Sequence, residues 1–175
     1  MSLRTRYTGD ELLQMEGRFE LERGELVEMV RPGFEHGRIA VNVAATLRAY
    51  VKPAQLGQVV VETGFYLERN PDTVRGPDVA YFPVEKLPTD PTRFAEEAPD
   101  LAVEVVSPND RSDALEERVR QFLGAGVTEV WVLYPRTRTL HRFRSDWAEV
   151  LSAGQRIEQV PCLPGFACGL DDFFD

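Results

Sequence analysis

The sequence predicts an α/β fold, α+β in the grouping of its elements: a mixed central sheet flanked by helices, with an N-terminal hairpin. Two observations predict it. Short runs of alternating or continuously apolar residues recur along the chain and read as strands. Two longer stretches space their apolar residues at three- and four-residue steps, and these read as the flanking helices. With 175 residues and no internal repeat, low-complexity tract or linker, the chain is expected to form one domain over residues 1–175.

Taken in order, Thr8 and Glu11 form a capping-box signature for a short helix carrying Leu12 and Leu13. FELERGELVEMV then reads as two short strands joined at Arg23-Gly24, where glycine can take the positive φ of a tight turn. From Phe34 to Val51 the residues Ile39, Ala40, Val43, Ala44, Leu47, Tyr50 and Val51 mark an amphipathic helix that Pro53 ends. Gln58 to Leu67 reads as one strand, with Val59, Val61, Thr63, Phe65 and Leu67 on one side and Glu62 on the other. A turn at Asn70-Pro71-Asp72 leads to the short strand DVAYF, and prolines at 83, 88, 91 and 99 make the next stretch irregular.

LAVEVVS is apolar almost throughout, as in a strand covered on both faces. The predicted second helix starts at Ser107-Pro108-Asn109-Asp110, carries the stripe Leu115, Val119, Phe122 and Leu123, and is closed by Gly126. EVWVLY and TLHRFR, parted by Pro135-Arg136, are two further strands. A weaker strand, a Pro-Gly turn and the short helix LDDFF complete the chain.

Composition narrows the functional classes. No apolar run approaches the roughly 20 residues of a membrane span. The start, MSLRTRYTGDELLQ, lacks the apolar stretch of a secretory signal, so the expected compartment is cytoplasmic. Cys162 and Cys168 offer neither the spacing nor the partners of a zinc site and are expected to be small buried residues. A net charge of −9 opposes nucleic acid as a first choice of partner without excluding it. Eighteen of the twenty cations are arginine, the fork suited to phosphate or carboxylate, and they cluster at 111, 118 and 120 and again at 136, 138, 142 and 144. Such clusters read first as solvated faces.

Glu104 is the residue that asks for a chemical explanation. It sits in the middle of Leu101-Ala102-Val103-Glu104-Val105-Val106, where an unpaired carboxylate costs several kcal/mol. Asp78 is the second, opening DVAYF directly after Gly76-Pro77. If the two strands are neighbours, both acids converge, and two carboxylates beside a backbone carbonyl make a hard oxygen site suited to Mg²⁺. The residues equally allow a structural pair of Glu104 with Arg118 and a turn cap at Asp78.

Gly76-Pro77-Asp78, followed twenty-six residues on by Glu104-Val105-Val106, resembles the PD-(D/E)xK pattern of the restriction-endonuclease-like superfamily. Within it the chain resembles the Uma-two family of endonuclease-like proteins. The matching features are Phe19-Glu20-Leu21 with Gly24-Glu25-Leu26-Val27, His36, Pro77-Asp78-Val79-Ala80, Leu101-Ala102-Val103-Glu104-Val105 with Ser107-Pro108, Ala125-Gly126-Val127 with Trp131, and Leu163-Pro164-Gly165-Phe166.

The resemblance implies a metal-dependent endonuclease on DNA, with Asp78, Glu104 and the Val105 carbonyl holding Mg²⁺ or Mn²⁺. The superfamily's lysine is expected at position 106, where valine stands, or on the following helix, where Arg118 matches. Arginine stays charged and cannot act as a base, but it can orient water or offset phosphate charge. Glu20 is a further candidate acid and His36 a candidate for phosphate or ligand support. Glu62 is placed toward the same pocket, and His141 among arginines at the surface. A homodimer is expected, as nucleases that cut two strands pair two sites. The alternative is a non-catalytic nucleic-acid-binding or dimerisation domain on the same fold.

Overall fold

Alternation along each strand decides which layer a side chain enters, and in this protein it separates two cores. The computed structural model describes residues 6–108 and 110–175. The reading of the first five residues, and Asn109 in the predicted helix start, lie outside the described residues.

Helix α1 (Gly9–Leu12) is opened by the predicted capping box: Thr8 Oγ1 accepts from the Glu11 N–H, and the Glu11 carboxylate accepts from the Thr8 N–H at 2.7 Å. Strands β1 (Phe19–Glu22) and β2 (Glu25–Glu28) form the expected hairpin, with Arg23 at φ 50° and Gly24 at φ 80° in the turn. Helix α2 (Phe34–Val51) buries Ile39, Val43, Leu47 and Val51, the predicted stripe.

The single strand predicted over 58–67 is two. Strand β3 (Gly57–Val61) and strand β4 (Phe65–Glu68) are parted at Glu62, which takes φ 48°, and they enter different sheets. Val61 is accordingly exposed while Phe65 is buried, so the two do not share a face environment. Strand β5 (Thr73–Arg75), unpredicted, follows and pairs with both β4 and β1. The hairpin thereby grows into a four-stranded sheet of order β2-β1-β5-β4.

The central sheet contains β3, β6 (Val79–Pro83), β7 (Leu101–Val105), β8 (Glu129–Tyr134), β9 (Thr139–Arg144) and β10 (Trp147–Leu151), in the order β10-β9-β8-β7-β6-β3. Only the β7–β8 pair is parallel, with helix α3 (Ser112–Gly124) as its crossover. This is the predicted mixed sheet. Residues Val79, Tyr81, Leu101, Val103, Val105, Trp131 and Leu133 pack on the α2 side. Ala80, Phe82, Ala102, Val130 and Val132 pack on the α3 side with Val119 and Phe122. The C-terminal part adds β11 (Arg156–Ile157), β12 (Cys168–Gly169) and α4 (Asp171–Phe174), whose Phe173 and Phe174 close the α2-side core.

Helix α3 begins five residues later than predicted. Ser107 and Asp110 instead form a turn, with the Ser107 N–H donating to Asp110 Oδ2 at 2.7 Å and the Asp110 N–H to the Ser107 carbonyl. Arg111 is therefore the cap residue, 80% exposed and paired with Asp113, rather than a helical neighbour of Arg118. Two expectations of solvated side chains are also corrected. Arg142 is 3% exposed, and His141 is half-buried with its ring 4.4 Å from that of Tyr134. Cys162 and Cys168 are free thiols, Cys168 buried and Cys162 half-buried.

Candidate active site

Strands β6 and β7 are antiparallel neighbours with Val79 opposite Val103. One residue further out, that register sets Asp78 against Glu104 on the α3 side of the sheet, because side chains alternate along each strand. Both line a cavity of about 850 Å³ closed by the small sheet and the start of α3. Two carboxylates that the sequence separates by twenty-six residues thus share one wall.

Asp78 is held from two directions. Its Oδ2 accepts from the Val105 backbone N–H at 2.7 Å and lies 3.1 Å from His36 Nε2. His36 reaches it from the first turn of α2, and its other ring nitrogen, Nδ1, is buried without a hydrogen-bond partner among the described residues. Burial pushes the His36 pKa down, but the hydrogen bond and charge of Asp78, with Glu104 and Asp110 behind it, outweigh that and leave it raised.

Glu104 meets Arg118. The guanidinium Nε–H donates to Glu104 Oε1 at 2.6 Å, Nη1 and Nη2 clamp the two oxygens of Glu20 at 2.8 Å each, and Nη2 also donates to the Gly76 carbonyl at 3.0 Å. Four of the five N–H groups of the fork are thereby committed. Arg118 is 14% exposed, and its carboxylate neighbours overcome burial to hold its pKa above the usual arginine range.

Glu20, on β1, takes the larger share of positive charge. Besides the Arg118 clamp it accepts from Arg75 Nη1 at 2.9 Å and from the Gly76 N–H at 2.9 Å. Burial would raise its carboxyl; Arg118, the Gly76 N–H and Arg75 more than reverse this and hold it below the usual range. Arg75 also pairs with Glu22.

Glu104 is left with a single donor. Burial, together with the charges of Asp78 and Glu20, pushes its carboxyl up to about 8 against the pull of Arg118. One oxygen of each acid, Asp78 Oδ1 and Glu104 Oε2, accepts no hydrogen bond from the described residues.

The structure therefore brings Asp78, Glu104, Arg118, Glu20 and His36 to one cavity, and Val105 lines it too. Glu62 stands at its rim, half-exposed and paired with Arg18. Val106, at the position where lysine was expected, is partly buried among the apolar residues of the α3 side and donates its N–H to Leu133. Among the described residues no group of three or more His, Cys, Asp or Glu side chains is spaced to cage a metal ion. No helix of the described residues is long and apolar enough to cross a membrane.

Sequence reasoning missed Arg75. It lies in the unpredicted β5, and only that strand's pairing with β1 sets its side chain against Glu20. The available signal was Thr73-Val74-Arg75 itself, a three-residue run whose β-branched pair is too short to read as a strand alone.

Comparison with known proteins agrees with this fold. A crystal structure titled as a "putative nuclease belonging to DUF820 from Anabaena variabilis" superposes with a TM-score of 0.81 at 19% identity, covering 95% of this chain and 97% of that one, which shows a shared fold. No curated protein matches the sequence. The sequence model of the Uma2 family, described as "Putative restriction endonuclease", matches residues 10–171. From its first helix to its last, the chain belongs to the Uma2 family.

Proposed function

We propose that the protein is a metal-dependent endonuclease that hydrolyses phosphodiester bonds of DNA at the Asp78–Glu104 wall. The observation that carries the reading is the pair of facing carboxylates in one cavity, each with one oxygen not engaged by the protein. The surroundings support it: Glu20, Glu22, Asp78 and Glu104 gather around Arg75, Arg118 and His36, and the raised Glu104 carboxyl marks a place where a further cation is favoured.

The donor set suits Mg²⁺ or Mn²⁺: Asp78, Glu104 and the Val105 carbonyl would hold the ion, and waters and phosphate oxygens would complete its shell. When bound, such an ion supplies water activation and offsets negative charge on the phosphodiester. The chain's own residues set the stage. His36 and the Val105 N–H fix the Asp78 carboxylate, so that its remaining oxygen faces the cavity. Glu20 and Gly76 hold the Arg118 plane, which lends fixed positive charge to a phosphate without acting as a base. The same reading takes two copies of the chain as the unit that cuts both strands, which sedimentation with and without duplex DNA tests.

The decisive assay compares cleavage of plasmid and linear DNA in Mg²⁺ and in Mn²⁺ by wild type, Asp78→Ala and Glu104→Ala. Cleavage by the wild type alone is the expected result. Equal cleavage by all three proteins, or none with either ion, removes the catalytic reading.

The Arg118–Glu104 ion pair at 2.6 Å favours a second reading, a non-catalytic nucleic-acid-binding or dimerisation domain in which arginine has replaced the cation. Calorimetric titration with Mn²⁺ separates the two: heat that disappears in Asp78→Ala supports the nuclease, and no heat in the wild type supports the relic. Arg118→Lys sharpens the choice, since cleavage gained there puts position 118 in the reaction.

A further inference from the structure

A second cavity, about 490 Å³, adjoins the carboxylate site and has no part in the chemistry above. The two share His36, Ser107 and Pro108 as a common wall. The first lies at the carboxyl end of β7 and the second at the carboxyl ends of β7 and β8, the parallel pair, where sheets of this kind collect ligands. The neighbouring cavity differs in chemistry from the site. Its walls are mostly apolar, and a half-buried Tyr134 and an exposed Phe34 both line it. Phe34 begins α2 and is 89% exposed, the most exposed large apolar side chain among the described residues.

The polar residues that line it are Glu35, His36, Ser107, Arg136 and Thr137. Arg136 is exposed and makes no ion pair or side-chain hydrogen bond with the described residues, in a protein of net charge −9 where most cavity-lining arginines are engaged. Glu35 supplies an acceptor of the kind that meets a base amino group. An apolar cavity lined by two aromatic rings and an unpaired guanidinium, sharing a wall with the carboxylate site, matches the parts of one nucleotide: a flat base, and the backbone phosphates on either side of it.

We propose that this second cavity receives the unstacked base next to the phosphate held at the carboxylate wall, with Phe34 as stacking platform and Arg136 on the neighbouring phosphate. This rests on the endonuclease reading for the identity of the ligand. It names the substrate class more narrowly: single-stranded DNA, or duplex with a base turned out of the stack at the cut. A base in the intact stack presents no free face to Phe34.

The test is binding, measured without cleavage. A fluorescein-labelled single-stranded 12-mer, and a 12-mer with the same phosphates but abasic at every position, are titrated with wild type, Phe34→Ala and Arg136→Ala by fluorescence anisotropy, with Ca²⁺ in place of Mg²⁺ so that an ion is present while cleavage is suppressed. The intact 12-mer should bind about tenfold more tightly than the abasic one to the wild type, and Phe34→Ala should erase that difference. Arg136→Ala should weaken both oligonucleotides alike and flatten the salt dependence. Both positions are exposed, and unchanged thermal unfolding of the variants confirms that binding alone is read.

Equal affinity for intact and abasic oligonucleotides, the same affinity in Phe34→Ala as in wild type, or no binding to either probe overturns the inference. Cleavage that persists without base dependence leaves the endonuclease reading standing and removes only this one. Base dependence without cleavage under any metal condition does the reverse.

Discussion

Two clusters of buried carboxylate and arginine sit on this sheet, and they are built to opposite specifications. At the far end of β8, Glu129 is fully buried and saturated: Oε1 accepts from Trp131 Nε1 at 2.6 Å and Arg142 Nε at 2.7 Å, and Oε2 accepts from Arg144 Nε at 2.8 Å. Arg142 spends three of its four remaining N–H groups on Glu149 and on the Glu158 and Gln159 carbonyls. Two acids there meet two arginines, and Trp147 covers the guanidiniums. At the other cluster four acids meet two arginines and His36, and Glu104 receives one donor from the described residues. A buried ionic network that only holds a fold together is balanced and closed. One that is left short of positive charge and open to a cavity has room for a further cation.

The largest effect that would break this contrast is on stability. Glu129→Gln removes the anion shared by the buried Arg142 and the half-buried Arg144, leaving Arg142 only Glu149, and is expected to cost about 3–5 kcal/mol in urea unfolding. Glu104→Gln, measured the same way in EDTA near pH 7, is expected to cost less than about 1 kcal/mol, since the amide replaces a largely protonated carboxyl that accepts one hydrogen bond. Equal losses at the two positions would show the clusters to be the same kind of structure.

Next in size is the response to metal. Saturating Mn²⁺ at a hundred times its dissociation constant should stabilise the wild type by about 2.7 kcal/mol. Asp78→Ala should lose that increment, and Glu129→Gln should keep it despite its lower starting stability. Differential scanning fluorimetry across a Mn²⁺ series reads both.

The pH response follows from the Glu104 carboxyl. Its folded pKa, about 8, lies above its unfolded value, so between about 4.5 and 8 the folded state binds more proton and metal-free stability falls as pH rises. Glu104→Gln should flatten that slope in urea titrations at pH 5 and pH 8, whereas a slope unchanged by the substitution would assign the dependence elsewhere. The smallest effect marks the baseline. Arg120→Ala removes an exposed i,i+3 pair with Glu117 and should shift stability by no more than about 0.5 kcal/mol.

What could be read from the residues alone followed local rules. The capping box, the Arg23-Gly24 turn and the 3.6-residue spacing of α2 are contacts within a few positions of one another, and each stands where it was expected. Glu104 drew notice because one charge in an apolar strand is a local anomaly. The misread parts depend on partners distant in sequence. Val59 to Leu67 alternates as one strand would, and nothing in that alternation reveals that Glu62 turns the chain into a second sheet. Arg142 and Arg144 occupy alternate positions on one face of β9, a pattern that fits a solvated face as well as a buried one. Only the pairing of Arg142 with Trp131 across to β8 puts them over Glu129. Arg118 was singled out as a partner for Glu104, but its clamp on Glu20 needed the small sheet in place.

That clamp has a consequence for how the molecule opens. Arg118 belongs to α3, Glu20 to the small sheet, the Gly76 carbonyl to the link between the sheets, and Glu104 to the centre of the main sheet. One side chain therefore stitches four pieces of chain, beside the Gln121 bonds to Arg75 and Glu22 and the Phe65–Phe122 stack that also join α3 to the small sheet. The small sheet cannot lift away from α3 without undoing the guanidinium's bonds together. Amide protons of β1, β5 and the first turns of α3 should exchange with solvent as one cooperative unit, on one timescale, and Arg118→Ala should split that unit into independently breathing parts.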